Sequence, residues 1–178
     1  MPALESDESL VVRAASGSRA AFHELYQRYA SRVRALAVRM LGDAHLANDL
    51  MQDVFARAWA SVRTVDPSRK FGSWLIRIAT NRVVDELKRR RRWTALIEDD
   101  RIPDEAPRPE LVVLRREELS RIREALGRVP EGPRLVLLLV FQEQMPYEEV
   151  ADTLGISVNL VRVRLFRGLR WLQGELSP

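Results

Sequence analysis

Two clusters in this 178-residue chain have side-chain types and spacings suited to more than packing. The first is DELKRRRRW, residues 85–93, where an amphipathic run passes, without glycine or proline, into five consecutive cations and a tryptophan. A folded core excludes unpaired Lys and Arg, so these charges face either solvent or an anion. The second lies within MPYEEVADTLGISVNLVRVRLFRGLRW, residues 145–171. There Arg162, Arg164, Arg167 and Arg170 can reach phosphates on the walls of a major groove. Asn159 can hydrogen-bond an adenine edge, and Leu160 and Val163 can meet thymine methyl groups. The competing reading of each cluster is a solvated basic helix face.

The elements that must carry these residues are helical. Apolar residues recur at steps of three and four from Phe22 to Met40 and again at Leu46, Leu50, Val54 and Ala58, with Gly42 as the break and Asp43 as the expected cap between them. A polar loop around Pro67 leads into a third periodic segment from about Phe71. On an ideal wheel, this segment places Leu75, Ile76, Ala79, Val83 and Leu87 on the core side. Trp74, Arg77, Asn81, Asp85, Lys88 and Arg92 form a line opposite, a stripe suited to a nucleic-acid strand lying along the helix.

Residues 98–110, EDDRIPDEAPRPE, hold six acids and three prolines and read as an extended tether. Beyond it the apolar run LVLLLVF, residues 135–141, is assigned to a buried helix because no second strand exists to pair with it. Pro146 suits a first helical turn, Gly155 a tight turn, and Ser157 the cap of a second helix, the pattern of a helix-turn-helix. On that second helix Val158, Val161, Leu165, Gly168, Leu169 and Leu172 face inward. Asn159, Leu160, Val163, Phe166, Arg167 and Arg170 face outward, with Arg162 and Arg164 on the flanks. The expected architecture is all-α: a helical domain over residues 1–95, a flexible acidic linker over 96–113, and a helix-turn-helix domain over 114–178.

Composition removes other classes. The chain has no cysteine, so disulfides, thiol nucleophiles and cysteine-ligated zinc are excluded together, and a reducing, cytoplasmic setting is expected. His23 and His45 sit in separate helices with no metal partner in the pattern, and no phosphate-loop signature occurs, so neither an enzyme, a metal nor a cofactor is expected. The acidic N-terminus lacks the order of a signal peptide, and no apolar run is long enough to span a membrane. A stand-alone helix-turn-helix repressor with an N-terminal sensing or dimer domain is the alternative reading.

With these elements in place the chain resembles the extracytoplasmic-function sigma factors, two-domain initiation subunits of bacterial RNA polymerase. FHELYQRYASRVRALAVRMLGD, AHLANDLMQDVFARAW and FGSWLIRIATNRVVDELKRRRR are similar to the family's second region. RVPEGPRLVLLLVFQEQMPYEEVADTLGISVNLVRVRLFRGLRWL is similar to its fourth. The resemblance implies that Asp49, Gln52 and Asp53 dock on the clamp helices of the largest polymerase subunit, with the flap as a further polymerase contact. It implies that the loop Asp66, Ser68, Arg69 and Lys70, with Phe71, Arg82, Arg89 and the stripe already named, acts at the minus-ten promoter element. Ser157 would join Asn159, Leu160, Arg162, Val163, Arg164 and Arg167 at the minus-thirty-five element. An anti-sigma partner and a linker that threads toward the active-site channel are also implied. The sequence departs from the family pattern at Asn48, where an acid is usual, which slightly weakens the docking charge; its departures at Ser157, Asn159, Leu160, Val163 and Leu169 bear on promoter preference.

Overall fold

The structure, a computed structural model, describes residues 5–66, 70–90, 122 and 124–176. The chain divides into two compact units, Met1–Asp85 and Glu86–Pro178. Among the described residues all regular structure is helical. The expected domain limit at residue 95, the acidic linker and the start of the second domain lie outside the described residues, as do Ser68, Arg69 and Arg92.

Up to the end of α4, whose last turn crosses the division between the units, four helices occur where three were expected: α1 Asp7–Ala15, α2 Arg19–Leu41, α3 Ala44–Ser61 and α4 Phe71–Arg89. The additional one is α1. Its acidic start obscures a short amphipathic pattern, whose Leu10, Val11 and Ala14 are buried against α2 and the 3-10 turn Val62–Thr64. Asp7 holds it in place, its carboxylate accepting from Arg28 at 2.7 Å and from the Tyr29 hydroxyl. Burial, reinforced by the Asp7 hydrogen bond, pushes the Tyr29 phenol up to about 12. Asp43 caps α3 as expected: its Oδ1 accepts from the backbone N–H of His45 at 2.9 Å and of Leu46 at 3.1 Å.

Helix α4 comes close to α2 at its first turn. A Cβ on Gly72 would lie 2.8 Å from the Tyr29 ring, so glycine is what lets the tyrosine lie against the α4 backbone. From there Leu75, Ile76, Ala79, Val83 and Leu87 are fully buried, the stripe the wheel predicts. At the C-terminal end of α4, Glu86 accepts from both nitrogens of a bidentate Arg89, at 2.9 and 2.8 Å, and from Arg90 at 2.9 Å. These bonds, Arg89 first, hold the Glu86 carboxyl below the usual carboxylate range.

In the second unit residues 124–128 are helical, with Ala125 and Val129 buried, and α5, Glu131–Leu137, runs into a π turn over Leu138–Gln142. The LVLLLVF run is therefore helical, as expected, but it changes pitch half-way, and Glu143 N donates to Leu138 O, five residues back, at 3.0 Å. Leu135 through Leu139 are buried, whereas Phe141 is exposed. Helices α6, Tyr147–Leu154, and α7, Val158–Leu176, follow, and both α5 and α6 pack on α7. The α5–α7 crossing is tight: a Cβ on Gly168 would lie 2.7 Å from Leu137 Cδ1.

Asp43→Ala should remove the α3 cap and lower the stability of the first unit by about 1 kcal/mol in urea unfolding. Because the folded Glu86 carboxyl lies below its unfolded value, its stabilising contribution is present above the usual carboxylate range and is lost as pH falls through the folded value. Glu86→Gln should accordingly reduce the loss of thermal stability on acidification, while lowering stability at neutral pH, as measured by melting curves across the acid range.

Candidate nucleic-acid interface

The buried stripe of α4 turns the opposite face outward. Arg77, Asn81, Asp85, Lys88 and Arg89 are exposed along it, and Lys70 and Asp66 are exposed just before the helix. Trp74 is half-buried, leaning on Phe71 with ring centroids 5.5 Å apart. Phe71 itself corrects the expectation of a DNA contact. It is 2% exposed and packs edge-on against Tyr29 at 5.4 Å, because the first turn of α4 is where this helix anchors on α2.

The polymerase-docking residues expected on α3 do not behave alike. Asp49 and Gln52 are exposed, whereas Asp53 is partly covered and paired. Its Oδ2 accepts from Arg57 Nε at 3.0 Å and from Arg82 Nε at 2.5 Å, and Arg82 also reaches Asp85 at 3.3 Å. Burial works to raise the Asp53 carboxyl, but the hydrogen bonds from Arg57 and Arg82 outweigh it and hold it low. One residue expected at the docking face and one expected at the promoter face are thus joined by a direct ion pair. Two helices crossing put them together, and no spacing within either helix could announce it. Asn48 likewise accepts from Arg34 of α2, at 2.6 Å.

The helix-turn-helix forms as expected. Gly155 takes φ 65°, a left-handed conformation that closes the turn, and Ile156 N donates back to Ala151 O at 3.1 Å. Ser157 Oγ accepts from Leu160 N at 3.1 Å, which caps α7. Val161, Leu165 and Gly168 face the core. Asn159 and Arg162 are exposed; Leu160 and Arg167 are partly exposed. Arg170 is exposed and its guanidinium sits 5.9 Å from the Phe166 ring centroid.

Two positions on α7 correct the wheel. Arg164 is 3% exposed, since it falls one helical turn after Val161 and its guanidinium lies beside Gly132 of α5. Val163 points away from Val161 yet is only 1% exposed, so it presents no open methyl surface for a base. The wheel gives an angle about the helix axis and contains nothing of what the folded chain lays over it. The histidines form no site: His23 hydrogen-bonds Gln27 at 3.0 Å and stacks on Tyr26. Among the described residues no group of three or more His, Asp or Glu side chains is placed to hold a metal.

Two exposed polar helix faces on separate units therefore remain, with a carboxylate-bearing face on α3 beside one of them. Residues 25–93 match the family model for Sigma-70 region 2, and residues 119–172 match that for Sigma-70, region 4. The chain is 38% identical over 169 residues to the ECF RNA polymerase sigma factor SigE of Mycolicibacterium smegmatis, covering 92% of this chain and 65% of that one. It is 34% identical over 183 residues to the RNA polymerase sigma factor CnrH of Cupriavidus metallidurans, covering 97% of this chain and 95% of CnrH. The solved structure of CnrH in complex with the cytosolic domain of CnrY matches at 32% identity with a TM-score of 0.66, over 97% of each chain. The chain belongs to the sigma-70 family, in its extracytoplasmic-function group, and is thereby an alternative sigma factor that directs RNA polymerase.

If the open residues at the start of α7 read bases, Asn159→Ala and Leu160→Ser should each change the preferred minus-thirty-five sequence, at about 1–3 kcal/mol per lost base contact. Val163→Ser should destabilise the fold and leave the preference as it was. Selection from a randomised promoter library, with melting curves for each variant, checks both.

Proposed function

We propose that this sigma factor docks on the polymerase core through the exposed face of α3, with Asp49 and Gln52 at its centre and Asp53 at its edge. The α4 stripe of Trp74, Arg77, Asn81, Arg82, Asp85, Lys88 and Arg89, with Asp66, Ser68, Arg69, Lys70 and Arg92, then meets the promoter at minus ten. The capped start of α7, with Ser157, Asn159, Leu160, Arg162 and Arg167, reads the minus-thirty-five element. The observation that carries this reading is the rotation of α4, whose buried stripe leaves one continuous polar and cationic line outward. Residues 1–95 and 114–178 act as the two functional modules, with 96–113 as the linker between them. Support comes from the two family matches, of which one ends at residue 93 and the other starts at 119.

In this reading the protein changes no covalent bond. Extruding a base costs a few kcal/mol, and capture of unpaired bases along a cationic helix offsets that cost and shifts the duplex toward the open form. Nucleotide addition belongs to the polymerase, in the cytoplasm. An anti-sigma partner completes the proposal. It is supported by CnrH, a relative whose solved structure holds the cytosolic domain of a second protein, CnrY.

Asp49→Arg tests the docking face, since this side chain is exposed and its reversal leaves the α3–α4 ion pair intact. Binding of the labelled full chain to sigma-free RNA polymerase should weaken on the order of tenfold, with an unchanged melting curve. Unaltered affinity would remove α3 from the interface. Failure of the unmutated chain to bind polymerase would favour a stand-alone repressor.

A further inference from the structure

The Asp53–Arg82 ion pair joins a carboxylate of the docking face to a cation at the edge of the promoter stripe. Arg82 is 32% and Asp53 38% exposed, so each can be reached by a macromolecular partner. While they are paired, Arg82 is neutralised twice, by Asp53 at 2.5 Å and by Asp85 at 3.3 Å, and it offers a phosphate little net attraction. Both arginines on Asp53 bond the same oxygen, Oδ2. Its other oxygen, Oδ1, is the natural landing point for a cation on a docking partner.

A third cation arriving there places like charge beside both guanidiniums. Arg57 is held on the same helix as Asp53, one turn away, whereas Arg82 comes from α4 and has another place to go. We propose that Asp53 is a latch for Arg82: docking on polymerase engages the carboxylate and releases the arginine to promoter DNA. This rests on the proposed docking of α3. Arg82 is then a DNA-contacting residue only in the polymerase-bound state. By linkage the coupling runs both ways, and DNA that draws Arg82 outward strengthens the hold of Asp53 on polymerase.

The test uses full-length Arg82→Gln, Asp53→Asn and the double variant. Two quantities are measured: affinity for sigma-free RNA polymerase, and the salt dependence of promoter binding by the reconstituted holoenzyme. Arg82→Gln should act in opposite directions on the two. It frees Asp53, so polymerase binding tightens by about two- to fivefold, the range set by an exposed ion pair. It also removes one phosphate contact, so holoenzyme binding to promoter weakens and its salt slope falls by about one. In the Asp53→Asn background the gain in polymerase affinity should vanish.

A substitution that merely damages the first unit would weaken both bindings. If Arg82→Gln fails to fold, Arg82→Lys keeps the charge without the guanidinium fork and should shift polymerase affinity in the same direction by less. Unchanged or weaker polymerase binding by a folded Arg82 variant, or an equal gain in the Asp53→Asn background, overturns the latch while leaving the docking reading in place. No polymerase binding by the unmutated chain overturns both.

Discussion

Burial of a single narrow stripe on α4 is the constraint from which the first unit's chemistry follows. Leu75, Ile76, Ala79, Val83 and Leu87 are all fully buried, and each large apolar side chain among them contributes about 1.5–3 kcal/mol relative to exposure. Rotating the helix by even one position would put Trp74 or Arg77 into the core, at a cost of several kcal/mol for the cation alone. The rotation is therefore fixed by apolar packing, and the outward line of Arg77, Asn81, Asp85 and Lys88 is its consequence. Phe71 and Gly72 set the other end, one by filling the space beside Tyr29 and the other by leaving room for its ring. The residues that contact nothing in the core owe their orientation to those that do.

The same logic operates in the second unit through a different device. Helix α7 is held by close approach as well as by burial: Gly168 admits Leu137, and the guanidinium of Arg164 is buried beside Gly132. A cation packed in this way supports the helix that presents the reading residues and does not itself read. Capping completes the placement, because Ser157 accepts the N–H of Leu160 and so defines where α7 starts and which side chains stand at its exposed end. Position along the helix comes from a hydroxyl, and rotation about it from Gly168 and the apolar contacts around it.

Charge is arranged with similar economy. The basic run at the end of α4 is less open than its composition suggests, since Glu86 accepts from both Arg89 and Arg90. Lys88 stays exposed on the stripe, and Asp85 and Asp53 divide Arg82 between them. Local acids thus moderate a cationic face that would otherwise repel itself, and they do so through pairs that a competing partner can open at small cost.

Much of this was legible in the residues. The all-helical class, the Asp43 and Ser157 caps, the Gly155 turn, the α4 core stripe and the helical state of LVLLLVF all follow from periodicity and local hydrogen-bonding chemistry, which act within a few residues along the chain. The short α1 escaped because its acidic start hides three apolar positions. Phe71, Val163 and Arg164 escaped for another reason: their burial depends on what lies over them from elsewhere in the chain. The ion pair between Asp53 and Arg82, 29 residues apart, is of the same kind. Sequence alone determined which helices form and which face of each is apolar, because propensity and period are local properties. Only the tertiary structure decided which polar side chains on those faces remain open and which are already held, because that depends on distances between helices that no spacing along one helix contains.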